Sequence, residues 1–256
     1  MTTMNEGAAA RQPARRRADP WFFLVIGAVL MALIFAGFFP TFYLRAFVPP
    51  PRLFEDAFFT PALYVHGFIL TGWFALLIVQ SALVQAGNVR LHRRRGMFGM
   101  VLAAALVISV VPVMLDFLPR VTRAGLPREV ALGFGAPLFW FDVFNLIGFV
   151  FLVGWAWLRR NNGAFHKRLM MLASISLMVP AVFRAAQIFL PGAPAMPISL
   201  LVVVLLVAAV FVWDFMRLKR PHEGTLWSTG VIIVTYGIAF WVGSMPAALE
   251  MVDRMF

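Results

Sequence analysis

The chain of 256 residues contains no cysteine. Disulfides, thiolate zinc sites, iron–sulfur clusters and covalently attached c-type haem are therefore excluded. Charge is also scarce. Only 13% of residues are Asp, Glu, Lys or Arg, against about 25% in a soluble domain. Histidine occurs four times and tyrosine three times. No G-x-x-x-x-G-K-[ST], H-E-x-x-H or G-x-S-x-G pattern is present, so phosphate-loop, zincin and serine-hydrolase chemistry have no support.

What is abundant is apolar surface: 62% of the residues are hydrophobic and the mean hydropathy is +0.86. A soluble core cannot absorb this much apolar surface, whereas lipid can. Seven runs reach the roughly 20 residues needed to cross hydrocarbon as a helix, at about 21–44, 60–86, 97–117, 137–158, 169–190, 197–216 and 226–248. They do not alternate as barrel strands would, and in lipid a helix satisfies its own backbone. The expected fold is all-α, a polytopic membrane bundle of about seven helices spanning residues 20–256 as one domain. Residues 1–19, with Arg11, Arg15, Arg16 and Arg17, read as a disordered basic tail. The first apolar run is too long for a signal h-region and reads as a retained span. Pro40, Pro112 and Pro180 are expected to kink helices or lie near their ends.

The net charge of +11 comes from short basic clusters between apolar runs, not from a basic face on a soluble domain. Its expected partners are the lipid bilayer and its anionic headgroups, not nucleic acid. Fifteen Lys and Arg fall on one side: the tail, Arg90 and Arg93–Arg95, Arg159, Arg160, Lys167 and Arg168, and Arg217, Lys219 and Arg220. Six fall on the other: Arg45, Arg52, Arg120, Arg123, Arg128 and Arg254. The positive-inside rule then predicts a cytoplasmic N-terminus, an outside C-terminus and a bacterial inner-membrane location. Residues 45–59 suggest a short interfacial helix, and residues 118–136 the longest loop. Trp21, Trp155, Trp157, Trp213 and Trp227 lie where interfacial anchors are expected.

Two segments align internally. Pro61, His66 and Gly72 match Pro137, Asp142 and Gly148 at one constant offset. At an offset shorter by two positions, His92-Arg93-Arg94-Arg95 matches His166-Lys167-Arg168-Leu169. Spans two and three would then repeat as spans four and five.

Two groups carry chemistry. His92, His166 and His222 all begin spans on the basic side, with Asp214 nearby. Imidazoles and a carboxylate suit a metal, weakly so for His222 and Asp214 because the basic surroundings oppose a cation. Alternatively His92 and His166 hold a b-type haem, with arginines for its propionates. The competing reading is that these are interfacial residues contacting headgroups or backbone. On the other side, His66, Asp142 and Arg184 lie within spans, several residues from their outer ends. Asp142 and Arg184 are complementary in charge, and the three suit a proton or ligand site, or a structural ion pair. His166 and Arg184 are about five helical turns apart, which returns them to one helix face. With Ser176, Asn145 and Gln80 they suggest that spans two, four and five line a polar interior.

The segments His166-Lys167-Arg168-Leu169-Met170-Met171-Leu172-Ala173 and Asp214 … His222-Glu223-Gly224-Thr225-Leu226-Trp227 resemble those of an uncharacterised family of polytopic bacterial inner-membrane proteins, over roughly residues 60–245. A more distant similarity is to cytochrome b561-type membrane proteins, in which histidines on neighbouring helices bind haem. The departure is that Asp142 stands where a fourth haem ligand is wanted. The resemblance therefore implies at most one haem, between His92 and His166. The leading expectation is a b-type haem or quinone-linked redox protein. The alternatives are a transporter using His66, Asp142 and Arg184, and a non-catalytic assembly subunit.

Overall fold

Each apolar run becomes a helix. The computed structural model describes residues 21–48, 60–123 and 125–255, and these contain no strand. The expected basic tail, and residues 49–59 of the expected interfacial helix, lie outside the described residues. The elements are α1 (Trp21–Phe38), a π-helical turn (Phe39–Tyr43), α2 (Pro61–Gln85), α3 (Val89–Arg123), α4 (Arg128–Leu158), α5 (Gly163–Ser176), α6 (Met178–Phe189), α7 (Ala195–Leu218), α8 (Glu223–Gly243) and α9 (Pro246–Met255). With α5 and α6 taken as one span, seven helical segments are long and apolar enough to cross a membrane.

The expected loop over 118–136 is mostly absent. α3 continues through Pro112 and Pro119 to Arg123, and α4 starts at Arg128. Asp116 and Arg123 pair at 2.6 Å across the last turns of α3, and Thr122 Oγ1 donates to the Leu118 carbonyl at 3.0 Å. These polar contacts lie on the part of the helix that extends beyond the apolar stretch. The described chain closes with α9, which follows the seventh span. Ala248 and Val252 of α9 are buried, Trp140 Nε1 donates to the Ala248 carbonyl at 3.2 Å, and Arg128 pairs with Asp253 at 2.7 Å.

Span five is the most enclosed, with 67% of its apolar window buried inside the protein. It packs against α1, α4, α7 and α8. It is also broken: α5 ends at Ser176 and α6 begins at Met178. Pro180 is the cause, because it has no N–H to give to the Ser176 carbonyl four residues back. Two neighbours supply donors instead. Asn145 Nδ2 of α4 reaches that oxygen at 3.1 Å and Tyr236 Oη of α8 at 2.7 Å. Trp73 Nε1 of α2 donates to Ser174 Oγ at 3.1 Å. A helix break in apolar surroundings is tolerable because protein covers it.

Small residues set the closest approaches. Gly37 of α1 lies against the backbone of Ala181 in α6, so that a Cβ there would stand 2.9 Å from Ala181 Cα. Gly148 of α4 makes room for the Thr235 side chain of α8, whose Cγ2 and Oγ1 would stand 3.1 Å from a Cβ there. Backbones this close exchange dispersion contacts that bulkier side chains would prevent.

Candidate functional site

The two hairpins α2–α3 and α4–α5 are built alike at their arginine-rich ends. Asn88 and Asn162 stand before α3 and α5, at matching places in the internal alignment. Each side-chain oxygen accepts from the backbone N–H three residues on, at 3.1 Å in both cases (Leu91 and Phe165). This caps a free helix N-terminus. One residue further lie His92 and His166, whose backbone N–H groups donate to the Asn88 and Asn162 carbonyls at 3.1 and 2.9 Å. Gly87, at φ 75°, makes the turn that brings α3 back along α2.

The aligned positions of the preceding helices hold the two rings. His166 Nδ1–H donates to the Ala156 carbonyl at 2.9 Å, which leaves its Nε2 lone pair available. Gln80 is the counterpart of Ala156, at the same offset that aligns Pro61 with Pro137. Its carboxamide meets His92 Nδ1 at 2.8 Å. With its nitrogen toward the ring, the amide also accepts from Gly96 N–H at 3.1 Å. Turned over, its oxygen would accept from Nδ1–H and leave the Nε2 lone pair free, but it would also face the His92 carbonyl while its NH2 faced Gly96 N–H. In the satisfied orientation His92 Nδ1 accepts, which places the ring proton on Nε2.

The His92 and His166 rings come together, with centroids 6.3 Å apart and planes at 80°. A bare divalent ion would want three or four protein ligands. No group of three or more His, Asp or Glu gathers among the described residues. Two imidazoles with their Nδ1 atoms held from behind are instead the donor set a protein gives to haem iron, with neighbours that orient the ligands. His166 presents the free Nε2 that such a group requires, and His92 does so with the Gln80 amide turned over.

Asp214 and His222 are also brought together, but not as free ligands, which corrects the metal-site expectation for this pair. Asp214 forms an ion pair with Arg168. Arg168 Nε approaches Asp214 Oδ1 at 2.9 Å, and its Nη2 contacts the same oxygen. Asp214 Oδ2 accepts from Thr225 Oγ1 at 2.6 Å and from the His222 backbone N–H at 3.0 Å. Every favourable direction on the carboxylate is taken. His222 Nδ1 accepts from Gly224 N–H at 2.9 Å, so this histidine caps α8. Burial and the nearby Arg168 cation hold the His222 imidazole pKa below its usual value. Lys219, at φ 60°, ends α7 in a left-handed turn that carries the chain back to this network. Trp213 is not an interfacial anchor. It is buried, stacked on Phe22 with centroids 5.0 Å apart and with Lys167 Nζ 4.7 Å from its ring. A cation and an aromatic face satisfy each other away from water.

The three residues expected to share the opposite site are separated. His66 Nδ1 lies 3.0 Å from Ser109 Oγ of α3. Arg184 Nη2 donates to Thr41 Oγ1 in the π-helical turn at 3.2 Å, and its guanidinium lies 4.9 Å from the Phe38 ring centroid. Asp142 lies on α4 near Tyr236. No ion pair joins Asp142 to Arg184 among the described residues. The reason is topological: α6 packs on α1 and α7, while α4 packs on α8 and α5.

Sequence reasoning found the two histidines but missed their supports. Asn-x-x-x-His occurs at Asn88–His92 and again at Asn162–His166, a signal available in the internal alignment. Arg168 as the partner of Asp214 had no local signal, because the two lie on different helices far apart in the chain. No family model matches the chain, and no curated protein or solved structure shows significant similarity to it.

Proposed function

We propose that the protein is a redox protein of a bacterial inner membrane that holds one b-type haem between His92 and His166. In this reading the N-terminus and the arginine-rich ends lie in the cytoplasm and the C-terminus lies outside. The observation that carries it is the 6.3 Å pair of imidazoles, delivered from equivalent points of two like hairpins and each held at Nδ1. When bound, haem supplies a one-electron couple. The chain's own contribution is to orient the ligands. Ala156 fixes the His166 tautomer through its carbonyl, and Gln80, with its amide turned over, would accept from His92 Nδ1–H. The exposed Arg93, Arg94 and Arg95 lie on the same helix end as His92 and provide charge for propionates.

The test is the visible spectrum of protein purified in detergent from a haem-replete host, with extraction of the pigment. A Soret band near stoichiometric with protein is expected, lost in both His92→Ala and His166→Ala and kept in His66→Ala. Folded wild-type protein without Soret absorption or extractable haem would overturn the proposal.

A further inference from the structure

A second polar centre lies deep in the bundle, away from the histidine pair. Asn145, Ser176 and Tyr236 lie equally far along α4, α5 and α8 from the arginine-rich ends of those helices. The depth is roughly three and a half turns, or about 20 Å. Asn145 is 5% exposed, and its Nδ2 is committed to the Ser176 carbonyl. Its Oδ1 is buried and has no hydrogen-bond donor. An orphaned acceptor of this kind costs about 1–3 kcal/mol, so native proteins rarely leave one.

Asp142 lies one helical turn before Asn145, and side chains spaced in this way are neighbours on a helix surface. Among the described residues, Asp142 neither forms an ion pair nor accepts a hydrogen bond. The elements around α4 offer it no cation. On α8 the titratable neighbour is Tyr236, whose hydroxyl hydrogen already goes to the Ser176 carbonyl. On α5, Arg168 is bound to Asp214, with His166 and Lys167 at the same far end. On α3, Asp116 holds Arg123, Arg120 lies over Phe117, and His92 with Arg90, Arg93, Arg94 and Arg95 occupies the opposite end. On α9, Asp253 holds Arg128 and Glu250 faces Arg254. A carboxylate left alone at this depth is far more costly than a neutral acid. The neutral acid also has the O–H that Asn145 Oδ1 needs.

We propose that Asp142 and Asn145 form a proton-binding site midway through the bundle, in which Asp142 is a carboxylic acid donating to Asn145 Oδ1. The reaction is simple exchange: the acid O–H bond breaks to give a carboxylate and one proton, and re-forms on uptake. The site needs no haem and stands independently of the histidine pair.

Infrared spectroscopy of the full chain in lipid nanodiscs tests it, in the carbonyl-stretch region of protonated carboxyl groups. At neutral pH the wild type should show one such band, which shifts in D2O and is absent in Asp142→Asn. In Asn145→Leu the acid loses its acceptor, so the band should move to higher frequency. A wild type without the band at neutral pH would overturn the site. So would a band that survives in folded Asp142→Asn, or one that is unmoved in Asn145→Leu. If Asp142→Asn does not fold, the wild-type band and its response in Asn145→Leu decide the matter.

Discussion

Replacing Asp214 by alanine removes one carboxylate and strands three donors. Arg168 is 2% exposed and Asp214 fully buried, so the guanidinium left behind is a buried cation that keeps one hydrogen-bond acceptor, the Ala164 carbonyl at 2.6 Å, and the face of Trp213. The Thr225 hydroxyl and the His222 N–H lose their acceptor in the same step. Breaking a buried pair from one side costs about 3–5 kcal/mol, against about 0–1 kcal/mol for an exposed pair such as Arg128–Asp253. For a chain of this size each kcal/mol moves Tm by about 2–4 °C, so Asp214→Ala should melt about 6–20 °C lower. The assay is thermal unfolding in a fixed detergent, followed by Trp fluorescence. Trp213 lies against the pair, its ring centroid 5.1 Å from Arg168 Cζ. The double variant Arg168→Leu/Asp214→Leu should recover much of the loss, because it removes the stranded charge as well as its partner. An Asp214→Ala protein melting within about 2 °C of wild type, or a double variant worse than the single, would refute the reasoning.

Gly37→Ala should destabilise by about 1–3 kcal/mol, since the new Cβ meets the Ala181 backbone, which cannot swing aside. Gly154→Ala, with open space around its position, is the control and should leave Tm nearly unchanged. The folded His222 pKa is depressed, so its contribution to stability is complete above the ordinary imidazole range and is lost as the pH falls toward the lowered folded value. A Tm–pH profile should therefore show an acid-side decline that flattens in His222→Asn; an unchanged profile in that variant would count against the cap. Gln80→Leu should keep the fold but free His92 Nδ1, weakening pigment retention by about 10–100-fold on the proposed reading. Titrating haem into detergent-solubilised variant and wild type measures this directly.

The seven spans could be read from the sequence because lipid imposes a local rule: each crossing segment must be apolar and must satisfy its own backbone. The ends of elements were less legible. α3 and α4 run into the expected 118–136 loop, where polar residues such as Asp116, Thr122 and Arg123 continue the helix past the point at which hydropathy alone would end it. Pro180 announced a disturbance in span five. The donors that make its break tolerable, Asn145 and Tyr236, come from other helices and carry no local mark.

The histidine pair lies between these cases. Its repeat spacing was visible, and the fold gives both copies the same Asn cap, while the rings are held at aligned positions by different groups, a backbone carbonyl and a side-chain amide. The Asp142–Arg184 expectation rested on charge alone. The packing of α6 on α1 and α7 sends Arg184 to Thr41, while α4 keeps Asp142 beside Tyr236.

Taken alone, the sequence determined how many segments are long and apolar enough to cross a membrane and which of their ends are rich in arginine. Periodicity and hydropathy report one helix against its solvent. Which helix faces which was decided only by tertiary packing, through close approaches such as Gly37 on Ala181 and buried bonds such as Arg168 to Asp214. In lipid the apolar faces are nearly equivalent, so shape and a few polar contacts choose among partners.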